Sequence, residues 1–376
     1  MYDAVVIGLG SMGSSALYHL AKAGFKVAGI EQFGLVHGKG SHSGQTRLIR
    51  KAYYESQDYI PLLNGAYRGW KEIERVSGRK LFTKSGIAYF GEKDHPIIKG
   101  VQAAATENNI ELRACTDQEQ AWFDLPSTFE AFTEVDAGYL RADEAIKSYA
   151  EAARSLGAVI LLNESVQTLE QDGSAITIKT DKGTYQAKKV VITSGAYVSG
   201  LIPNAKLPLS VSRQLIGWVK AGASAPKYPD AMPAWIIADK NVPGIYYGFP
   251  KLNDEQSPKN GYFKFAHHTV AESIEPQQMD DFDREVEEAK LRSILEQYLP
   301  DLATQPIEIT TCMYTNTPDE HFIIDFLPDS ENNIVLATGF SGHGFKFVPV
   351  VGEILADLVT QGESSYDIGF LGVGRF

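Results

Sequence analysis

The sequence predicts an α/β fold, with a discontinuous Rossmann-like nucleotide-binding domain and an inserted α+β domain on a large antiparallel or mixed sheet. Three observations predict it. A glycine-rich turn separates an apolar strand from a helix at the start of the chain, aromatic-rich strands fill residues 213–321, and an α/β pattern returns after them. We expect residues 1–85, 140–212 and 322–376 to form the nucleotide-binding domain, and residues 86–139 and 213–321 the inserted substrate domain.

The glycine-rich turn reads G-L-G-S-M-G at residues 8–13, between an apolar run at 4–7 and a predicted helix at 14–23. A second apolar strand, 27–30, ends at Glu31. This strand, turn, helix and acid form the full context of a dinucleotide fingerprint. The pattern predicts an ADP-containing cofactor, and a glycine-rich turn without a ligand is the alternative.

Each part of this turn has a separate role. Gly8 allows the tight turn, Gly10 lets the backbone approach a pyrophosphate, and Gly13 lets helix and strand pack closely. The helix N-terminus offers free N–H groups and a partial positive charge to the phosphates. Glu31, 18 residues beyond Gly13, is placed to accept hydrogen bonds from a ribose diol.

Composition narrows the function classes. The chain has 376 residues, enough for two domains, and a net charge of −12 that argues against nucleic acid or an anionic membrane as a partner. Cys115 and Cys312 are its two cysteines, so we expect a reducing compartment, the cytoplasm. We expect no signal peptide and no transmembrane segment, and the sequence assigns no residue to a metal.

Further α/β pieces follow the first. A helix at 145–156 ends at Gly157 and a strand follows at 158–161. A hairpin with strands at 175–178 and 184–187 precedes a buried strand at 189–196. A helix with apolar positions at Leu291, Ile294, Leu295 and Tyr298 ends before Pro300, and the last strand and helix lie at 333–339 and 350–358.

This organisation indicates FAD. NAD dehydrogenases more often keep the Rossmann domain contiguous, whereas here a sheet domain interrupts it. The hairpin between two buried strands and the glycine at the end of the last strand also indicate FAD.

Three segments carry residues that suit chemistry. Arg47 and Arg50 would lie on one face if the end of the run 40–50 were helical, where they could bind a carboxylate, a phosphate or an electron-rich ring. Lys264 and His268 share one face of a predicted strand, about 13 Å apart. The alternative for both pairs is that the side chains lie on a solvated face of the protein.

The aromatic neighbours of Lys264 predict a desolvated amine with a lowered pKa. On another predicted strand, Cys312 and Tyr314 share one face. A lone cysteine is usually a small buried hydrophobe, which is the reading for Cys115 and, from this pattern alone, for Cys312.

Together these segments resemble the monomeric sarcosine oxidase and N-methyltryptophan oxidase family of FAD-dependent amine oxidases, which is close to the fructosyl amino acid oxidases. The similarity runs over essentially the whole chain. The most specific stretches are T-R-L-I-R at 46–50, G-I-Y-Y-G-F-P at 244–250, C-M-Y-T at 312–315, E-H-F-I-I-D at 320–325 and G-F-S-G-H-G-F-K at 339–346.

The resemblance implies roles for individual residues. Cys312 looks like the cysteine that holds FAD covalently through a thioether to the 8α carbon. Arg50 and Lys346 look like the pair that binds the substrate carboxylate. Arg47 looks like the arginine against one face of the flavin, and Lys264 like the lysine held near N5 through water, which promotes the reaction with oxygen.

His268, Tyr247 and Tyr314 look like the residues that line the substrate cavity. The resemblance also implies a set of residues that contact the cofactor. They are Gly8, Gly10, Ser11, Met12, Gly13, Glu31, Ser41, Arg47, Val166, Gly195, Cys312, Gly342, Gly344, Phe345 and Lys346.

The first motif departs from the family. Sarcosine oxidases typically read G-S-H-H-G-D-T-R, whereas this chain has Ser43 for the second histidine and Gln45 for the aspartate. Both positions lie beside the arginine that faces the flavin, so sarcosine is not assigned as the substrate.

The resemblance implies an FAD-dependent oxidase of secondary, N-substituted amino acids, which oxidises the C–N bond to an imine and reduces O2 to H2O2. Its partners would be a small amino acid with a free carboxylate and O2, and the chain would be a monomer. The alternatives are a fructosyl amino acid oxidase, an FAD amino-acid dehydrogenase with another electron acceptor, and a nucleotide-binding protein without turnover.

Overall fold

The computed structural model describes residues 1–220, 232–255, 257–269 and 271–376. The predicted inserted stretch 213–321 is therefore described only in part.

The strands and helices of the described residues fall into three sheets and the layers that cover them. The strands are β1 (Tyr2–Ile7), β2 (Val27–Glu31), β3 (Thr46–Ile49), β4 (Phe82–Thr83), β5 (Ile87–Glu92), β6 (Leu112–Ala114), β7 (Phe129–Glu134), β8 (Gly138–Arg141), β9 (Val159–Leu162), β10 (Val166–Asp172), β11 (Ala175–Thr180), β12 (Thr184–Ile192), β13 (Ser210–Lys220), β14 (Ala234–Ala238), β15 (Ile245–Gly248), β16 (Tyr262–His268), β17 (Ile307–Asn316), β18 (Ile323–Phe326) and β19 (Ile334–Thr338). The helices are α1 (Ser11–Lys22), α2 (Ile60–Ser77), α3 (Pro96–Glu107), α4 (Asp117–Gln120), α5 (Ala142–Ser155), α6 (Val198–Leu201), α7 (Arg284–Tyr298), α8 (Pro300–Ala303) and α9 (Val348–Gln361).

The first sheet is the Rossmann-like one. Its order is β10-β11-β12-β1-β2-β9, and β19 pairs with β12 and with β18. Because β9, β2, β1, β12 and β19 run parallel, their carboxyl ends meet at one edge of the sheet. Ligands of open α/β sheets bind at this edge. The α/β fold class is confirmed.

One strand boundary in this sheet differs from the prediction. The segments 184–187 and 189–196 were expected to be separate strands, but β12 is continuous from Thr184 to Ile192. Its first half pairs antiparallel with β11, and its second half pairs parallel with β1 and β19. The strands that pair with β12 change along its length, but β12 itself keeps one direction. No turn therefore separates its two halves.

The second sheet has the order β17-β13-β16-β15-β14-β5-β7-β6. It is mixed, as predicted, because β14 pairs parallel with β5 whereas the other neighbours are antiparallel. Helix α7 buries the predicted residues Leu291, Ile294, Leu295 and Tyr298 against it, in one core with Phe263 and Phe265 of β16. The opposite face of β16 is thereby left for Lys264.

A third, small sheet has the order β3-β8-β4 and contains the first arginine motif. The end of the run 40–50 is therefore a strand, and the helical reading of Arg47 and Arg50 is wrong. Residues three apart on an extended chain point to opposite faces. The side chains of Arg47 and Arg50 therefore lie in two different parts of the protein.

Helices α1, α2, α5 and α9 cover one face of the first sheet and form the largest core with it. Burying this face fixes the glycine-rich turn between β1 and α1. Among the described residues, no helix combines the length and apolar character needed to span a membrane.

Candidate active site

A cavity of about 330 Å³ opens at the carboxyl edge of the first sheet. Most of the predicted cofactor-binding residues line it. They are Gly8, Gly10, Ser11, Met12, Glu31, Ser41, Arg47, Val166, Gly195, Gly342, Gly344 and Phe345. Three others do not: Gly13 lies beneath the turn, Cys312 lies behind Arg47, and Lys346 lies beyond the far end.

The glycine-rich turn forms one wall of the cavity. Gly8 has φ 88°, and a Cβ on Gly13 would stand 1.8 Å from the carbonyl oxygen of Gly8, so neither position accepts a side chain without rebuilding the turn. A Cβ on Gly10 would meet no protein atom closer than 3.6 Å. The space over Gly10 is therefore left to a ligand, next to the N-terminus of α1.

Glu31 is held at the end of β2. Its Oε2 accepts from the backbone N–H of Leu9 at 2.8 Å and its Oε1 from that of Phe33 at 3.0 Å. The carboxylate thus ties the glycine-rich turn to the next strand while it lines the cavity. His37 lies 3.6 Å from Oε1.

His37 and His42 were not predicted as site residues, although His42 lies inside the G-S-H-S-G-Q-T-R motif. Their rings meet edge to face with centroids 4.7 Å apart, and both line the cavity. Burial, with help from the charges of His37 and Arg47, lowers the pKa of His42 to about 3. Its buried Nε2 has no hydrogen-bond partner. This neutral imidazole contributes an uncharged part of the cavity wall.

Arg47, a residue of β3, forms part of the cavity wall. Its Nη2 donates to the carbonyl oxygens of Ser41 at 2.6 Å and Ser43 at 2.5 Å, and its Nη1 to that of Thr46 at 2.7 Å. These bonds fix the guanidinium in one plane. A fixed planar cation suits contact with a flat, electron-rich ring.

Cys312 is buried beside this guanidinium. Its Sγ lies 3.5 Å from Nη2 of Arg47 and 3.4 Å from the carbonyl oxygen of Ser41. Both neighbours line the cavity, so the thiol lies just behind the cavity wall. Cys115 is also free and buried, but it lies in the core of the second sheet.

Lys264 is almost completely buried. Its Nζ donates to the carbonyl oxygens of Gly44 at 2.8 Å and Thr46 at 2.6 Å, and it lies 4.6 Å from the ring centroid of Phe249. Burial, and then the charge of Arg47, lowers its pKa well below the ordinary range, as the aromatic neighbours predict. Lys264 does not line the cavity itself, because the Gly44–Thr46 backbone stands between them.

His268, Tyr247 and Tyr314 come together from β16, β15 and β17. Nδ1 of His268 and the hydroxyl of Tyr314 form a hydrogen bond of 3.2 Å, and their ring centroids lie 5.4 Å apart. Burial lowers the pKa of His268 to about 4 and raises that of Tyr247. The predicted cluster therefore presents neutral polar groups within an aromatic wall.

Arg50 is buried on the opposite side of β3 from Arg47. Its Nη2 bonds to Glu55, and its Nη1 donates to the carbonyl oxygen of Ala52 at 2.9 Å. The rings of Tyr53 and Tyr54 lie against the guanidinium, with centroids 4.9 and 4.3 Å from Cζ. Sequence reasoning missed Glu55, because its position in a loop follows no periodic pattern.

Lys346 also contacts Tyr53, with Nζ 5.0 Å from the ring centroid. Nζ donates to the carbonyl oxygen of His343 at 2.6 Å. Burial, followed by repulsion from Arg50, lowers the pKa of Lys346 to about 7. Burial alone would raise the pKa of Glu55, but Arg50, His343 and Lys346 outweigh it and hold that pKa below its ordinary value.

His343 was also missed. Its Nε2 lies 2.9 Å from the carbonyl oxygen of Glu320, which can only accept, so Nε2 carries the proton. Its Nδ1 is then an acceptor and bonds to the hydroxyl of Tyr53. Since burial lowers the pKa of His343 to about 3, this tautomer is neutral and holds the Tyr53 ring, which both cations contact.

The two departures from the family motif lie close to Arg47. The hydroxyl of Ser43 donates to the carbonyl oxygen of Thr311 at 2.8 Å, one residue before Cys312. Gln45, at φ 60°, accepts from the hydroxyl of Ser257 at 2.8 Å. Both side chains are engaged with the protein, on the side of the cavity near the thiol.

These residues fit FAD. The open space over Gly10, the N-terminus of α1, the tethered Glu31 and the neutral imidazole of His42 lie along one cavity that extends from the first sheet to Arg47. Residues 3–358 match the protein family described as FAD dependent oxidoreductase. The chain belongs to this family.

Relatives within the FAD dependent oxidoreductases extend over the full chain. A monomeric sarcosine oxidase of Bacillus sp. (strain NS-129) is 36% identical, with 100% of this chain and 97% of the relative covered. An N-methyl-L-tryptophan oxidase of Salmonella dublin is 35% identical, with 100% and 99% covered. The solved structure of NikD, an unusual amino acid oxidase essential for nikkomycin biosynthesis, matches with a TM-score of 0.87 at 25% identity, over 99% of this chain and 97% of that one.

Proposed function

We propose that this FAD-dependent enzyme oxidises N-substituted amino acids that carry a free carboxylate. The C–N bond loses two electrons and becomes an imine, which water hydrolyses, and O2 takes up the two electrons with two protons to give H2O2. Bound FAD supplies the two-electron chemistry, and the protein supplies orientation and charge. The observation that carries the proposal is the buried pair of cations, Arg50 and Lys346, around a carboxylate.

Arg50 and Lys346 would bind the substrate carboxylate. Both cations contact the ring of Tyr53, and Glu55 already places a carboxylate on Arg50. With His343 neutral and Lys346 protonated below its pKa of about 7, two cations and Glu55 leave one net positive charge for one incoming carboxylate. Fixing the carboxylate positions the amine carbon for reaction.

The substrate amine must be neutral to give up electrons. Tyr314 lines the cavity and His268 bonds to it, so we assign these two residues and Tyr247 to the wall around the substrate amine; burial keeps His268 uncharged. An aromatic, desolvated wall disfavours a charged ammonium and so favours the neutral amine.

Arg47 and Lys264 would act on the oxygen reaction. Both cations donate to the carbonyl oxygen of Thr46, so their charge is concentrated at one point behind the cavity wall to which Arg47 belongs. Positive charge held in place stabilises the negative charge that develops on oxygen. We assign Arg47 to one face of the flavin and Lys264 to the site of oxygen reduction.

Cys312 would hold FAD through a thioether between Sγ and the 8α carbon. Its position supports this assignment, since its Sγ contacts the Arg47 guanidinium and the Ser41 carbonyl, and both of these residues line the cavity. The remaining cofactor contacts follow the cavity lining, with the pyrophosphate at the glycine-rich turn and the ribose at Glu31.

Two further proposals concern organisation. We propose residues 1–85, 140–212 and 322–376 as the cofactor domain and residues 86–139 and 213–321 as the substrate domain; the strands of the second sheet fall in the latter except for the first three residues of β13. We also propose a monomer in the cytoplasm, supported by the term "monomeric" in the names of the sarcosine oxidases and by the two free, buried cysteines.

The substrate's side chain is the open choice within this class. The relatives are named for sarcosine and for N-methyl-L-tryptophan, which differ widely in size. A test is an anaerobic screen of the holoenzyme for flavin bleaching with sarcosine, N-methyl-tryptophan, proline, pipecolate and fructosyl-glycine. Bleaching by at least one N-alkyl amino acid supports the proposal; bleaching by fructosyl-glycine alone assigns the amadoriase-type alternative, and no bleaching at all rejects both.

A further inference from the structure

Glu134, at the end of β7, is a buried carboxylate that the proposed chemistry does not use. Its side chain is fully buried in the second sheet, next to Tyr89 of β5. A buried carboxylate is costly unless hydrogen bonds and charges compensate it. The identity of those partners therefore indicates what the residue does.

Both oxygens of Glu134 are engaged. Oε1 accepts from the backbone N–H of Lys51 at 2.6 Å and from that of Ala52 at 3.3 Å. Oε2 accepts from the hydroxyl of Tyr89 at 3.1 Å. Two consecutive N–H groups of one short segment are thus held by one side chain that lies 83 residues further along the chain.

That segment follows Arg50 directly and also holds its side chain. Nη1 of Arg50 donates to the carbonyl oxygen of Ala52, the residue whose N–H bonds to Glu134. The guanidinium, the Ala52 peptide and the Glu134 carboxylate therefore form a continuous set of hydrogen bonds. The position of the guanidinium depends on where Glu134 places the Lys51–Ala52 backbone.

We infer that Glu134 is a positioning residue that sets the carboxylate specificity of this site by anchoring the Lys51–Ala52 backbone under Arg50. The inference rests on the proposed function of Arg50. The length of the Glu134 side chain is what matters, because its oxygens must extend from the second sheet to the loop after β3. We expect its charge to be secondary, because backbone N–H groups also donate to a neutral amide oxygen.

Two conservative variants separate reach from charge. Glu134→Asp keeps the charge but withdraws the oxygens by one methylene, whereas Glu134→Gln keeps the reach and an acceptor oxygen but removes the charge. Glu92→Asp is the matched control, because Glu92 is a buried glutamate of the same sheet whose Oε2 accepts from the N–H of Lys240 instead.

The probes are two matched pairs, sarcosine with its carboxamide and N-methyl-tryptophan with its carboxamide, titrated into the anaerobic holoenzyme. The readout is the apparent Kd from the dependence of the initial rate of flavin bleaching on the concentration of the probe. We expect Glu134→Asp to raise the Kd of the carboxylates by about 10- to 100-fold, as a displaced binding group does, while the carboxamides keep theirs. Glu134→Gln and Glu92→Asp should stay close to the parent enzyme.

The inference is overturned if Glu134→Asp leaves the carboxylate Kd unchanged, if it weakens both members of a pair equally, or if Glu134→Gln weakens the carboxylates as much. Arg50→Gln is run beside them to test the proposed function separately. If Arg50→Gln keeps the preference for carboxylates, or if neither pair binds, the proposed role of Arg50 fails and the inference about Glu134 fails with it.

Discussion

Lys264 and Arg47 donate to the same acceptor, the backbone carbonyl oxygen of Thr46, at 2.6 and 2.7 Å. Two cations at one oxygen repel each other, and Lys264 has lost its water as well. The pKa of Lys264 falls for both reasons, burial first and Arg47 second. The pair concentrates charge and hydrogen-bond donors next to the cavity, on the opposite side of β3 from Arg50.

Lys264→Met removes this charge from the oxygen reaction and keeps the length of the side chain. We expect flavin reoxidation by O2 to slow by about 10²-fold or more, which is typical for the loss of one group that stabilises a developing charge. Flavin reduction by substrate should change far less. Stopped-flow measurement of flavin reduction and of flavin reoxidation tests this prediction. Equal slowing of both half-reactions would reject the role of Lys264 in the oxygen reaction.

Glu55→Gln tests whether the bond between Arg50 and Glu55 competes with the substrate. The carboxylate of Glu55 occupies Arg50, so its neutral counterpart should lower the Kd of a carboxylate substrate by about tenfold, or roughly 1.4 kcal/mol. Glu288→Gln, which removes a pair with Arg292 at 2.6 Å on α7, is the control. A higher Kd in Glu55→Gln would mean that Glu55 holds Arg50 in its binding position.

Lys346 predicts a pH dependence of carboxylate binding. Its pKa is lowered to about 7, mainly by burial, so the amine is charged below this pH and neutral above it. The Kd of a carboxylate without an amine, such as 2-furoate, should therefore rise as the pH increases from 6 to 9, by up to about tenfold per unit. His268 and His343, with pKa values of about 4 and 3, stay neutral throughout.

Fluorescence or absorbance titration of the flavin at each pH gives this profile. Lys346→Met should bind 2-furoate weakly and with little dependence on pH over the same range. A flat profile in the parent enzyme, or an unchanged rise in Lys346→Met, would assign the dependence to another group.

Cys312→Ala tests the covalent link. After acid precipitation, the flavin colour of the parent holoenzyme should stay with the pellet, whereas Cys312→Ala should release it. Cys115→Ala, which removes the other buried free cysteine, should behave like the parent. Release of the colour from the parent enzyme would show that FAD is held without a thioether.

Local patterns were enough to predict part of this molecule. The glycine-rich turn and the buried face of α7 depend on residues a few positions apart, and both formed as predicted. The pairing of β3 with β8, which places Arg47 and Arg50 on opposite faces, joins segments about ninety residues apart. The periodicity of the run 40–50 does not reveal its pairing with β8. The helical interpretation of this run was wrong for that reason.

The same limit explains which site residues were missed. Glu55 and His343 are close in sequence to the residues they contact, five positions after Arg50 and three before Lys346, but they lie outside regular strands and helices, where periodicity predicts no contact. His42 and His343 lie within quoted motifs, yet neither residue type nor spacing gave them a role. Glu134 is different, since it meets the Lys51–Ala52 backbone only because β7 packs against a loop 83 residues earlier in the chain.

The central claim is that this enzyme passes electrons from an N-substituted amino acid to O2. The most direct measurement mixes the anaerobic holoenzyme with the amino acid that bleaches its flavin, then admits air and counts H2O2 against imine-derived product. The account predicts bleaching, fast recovery of the flavin colour and one H2O2 for each substrate oxidised. Bleaching that recovers only with another electron acceptor, or recovery without H2O2, would contradict it.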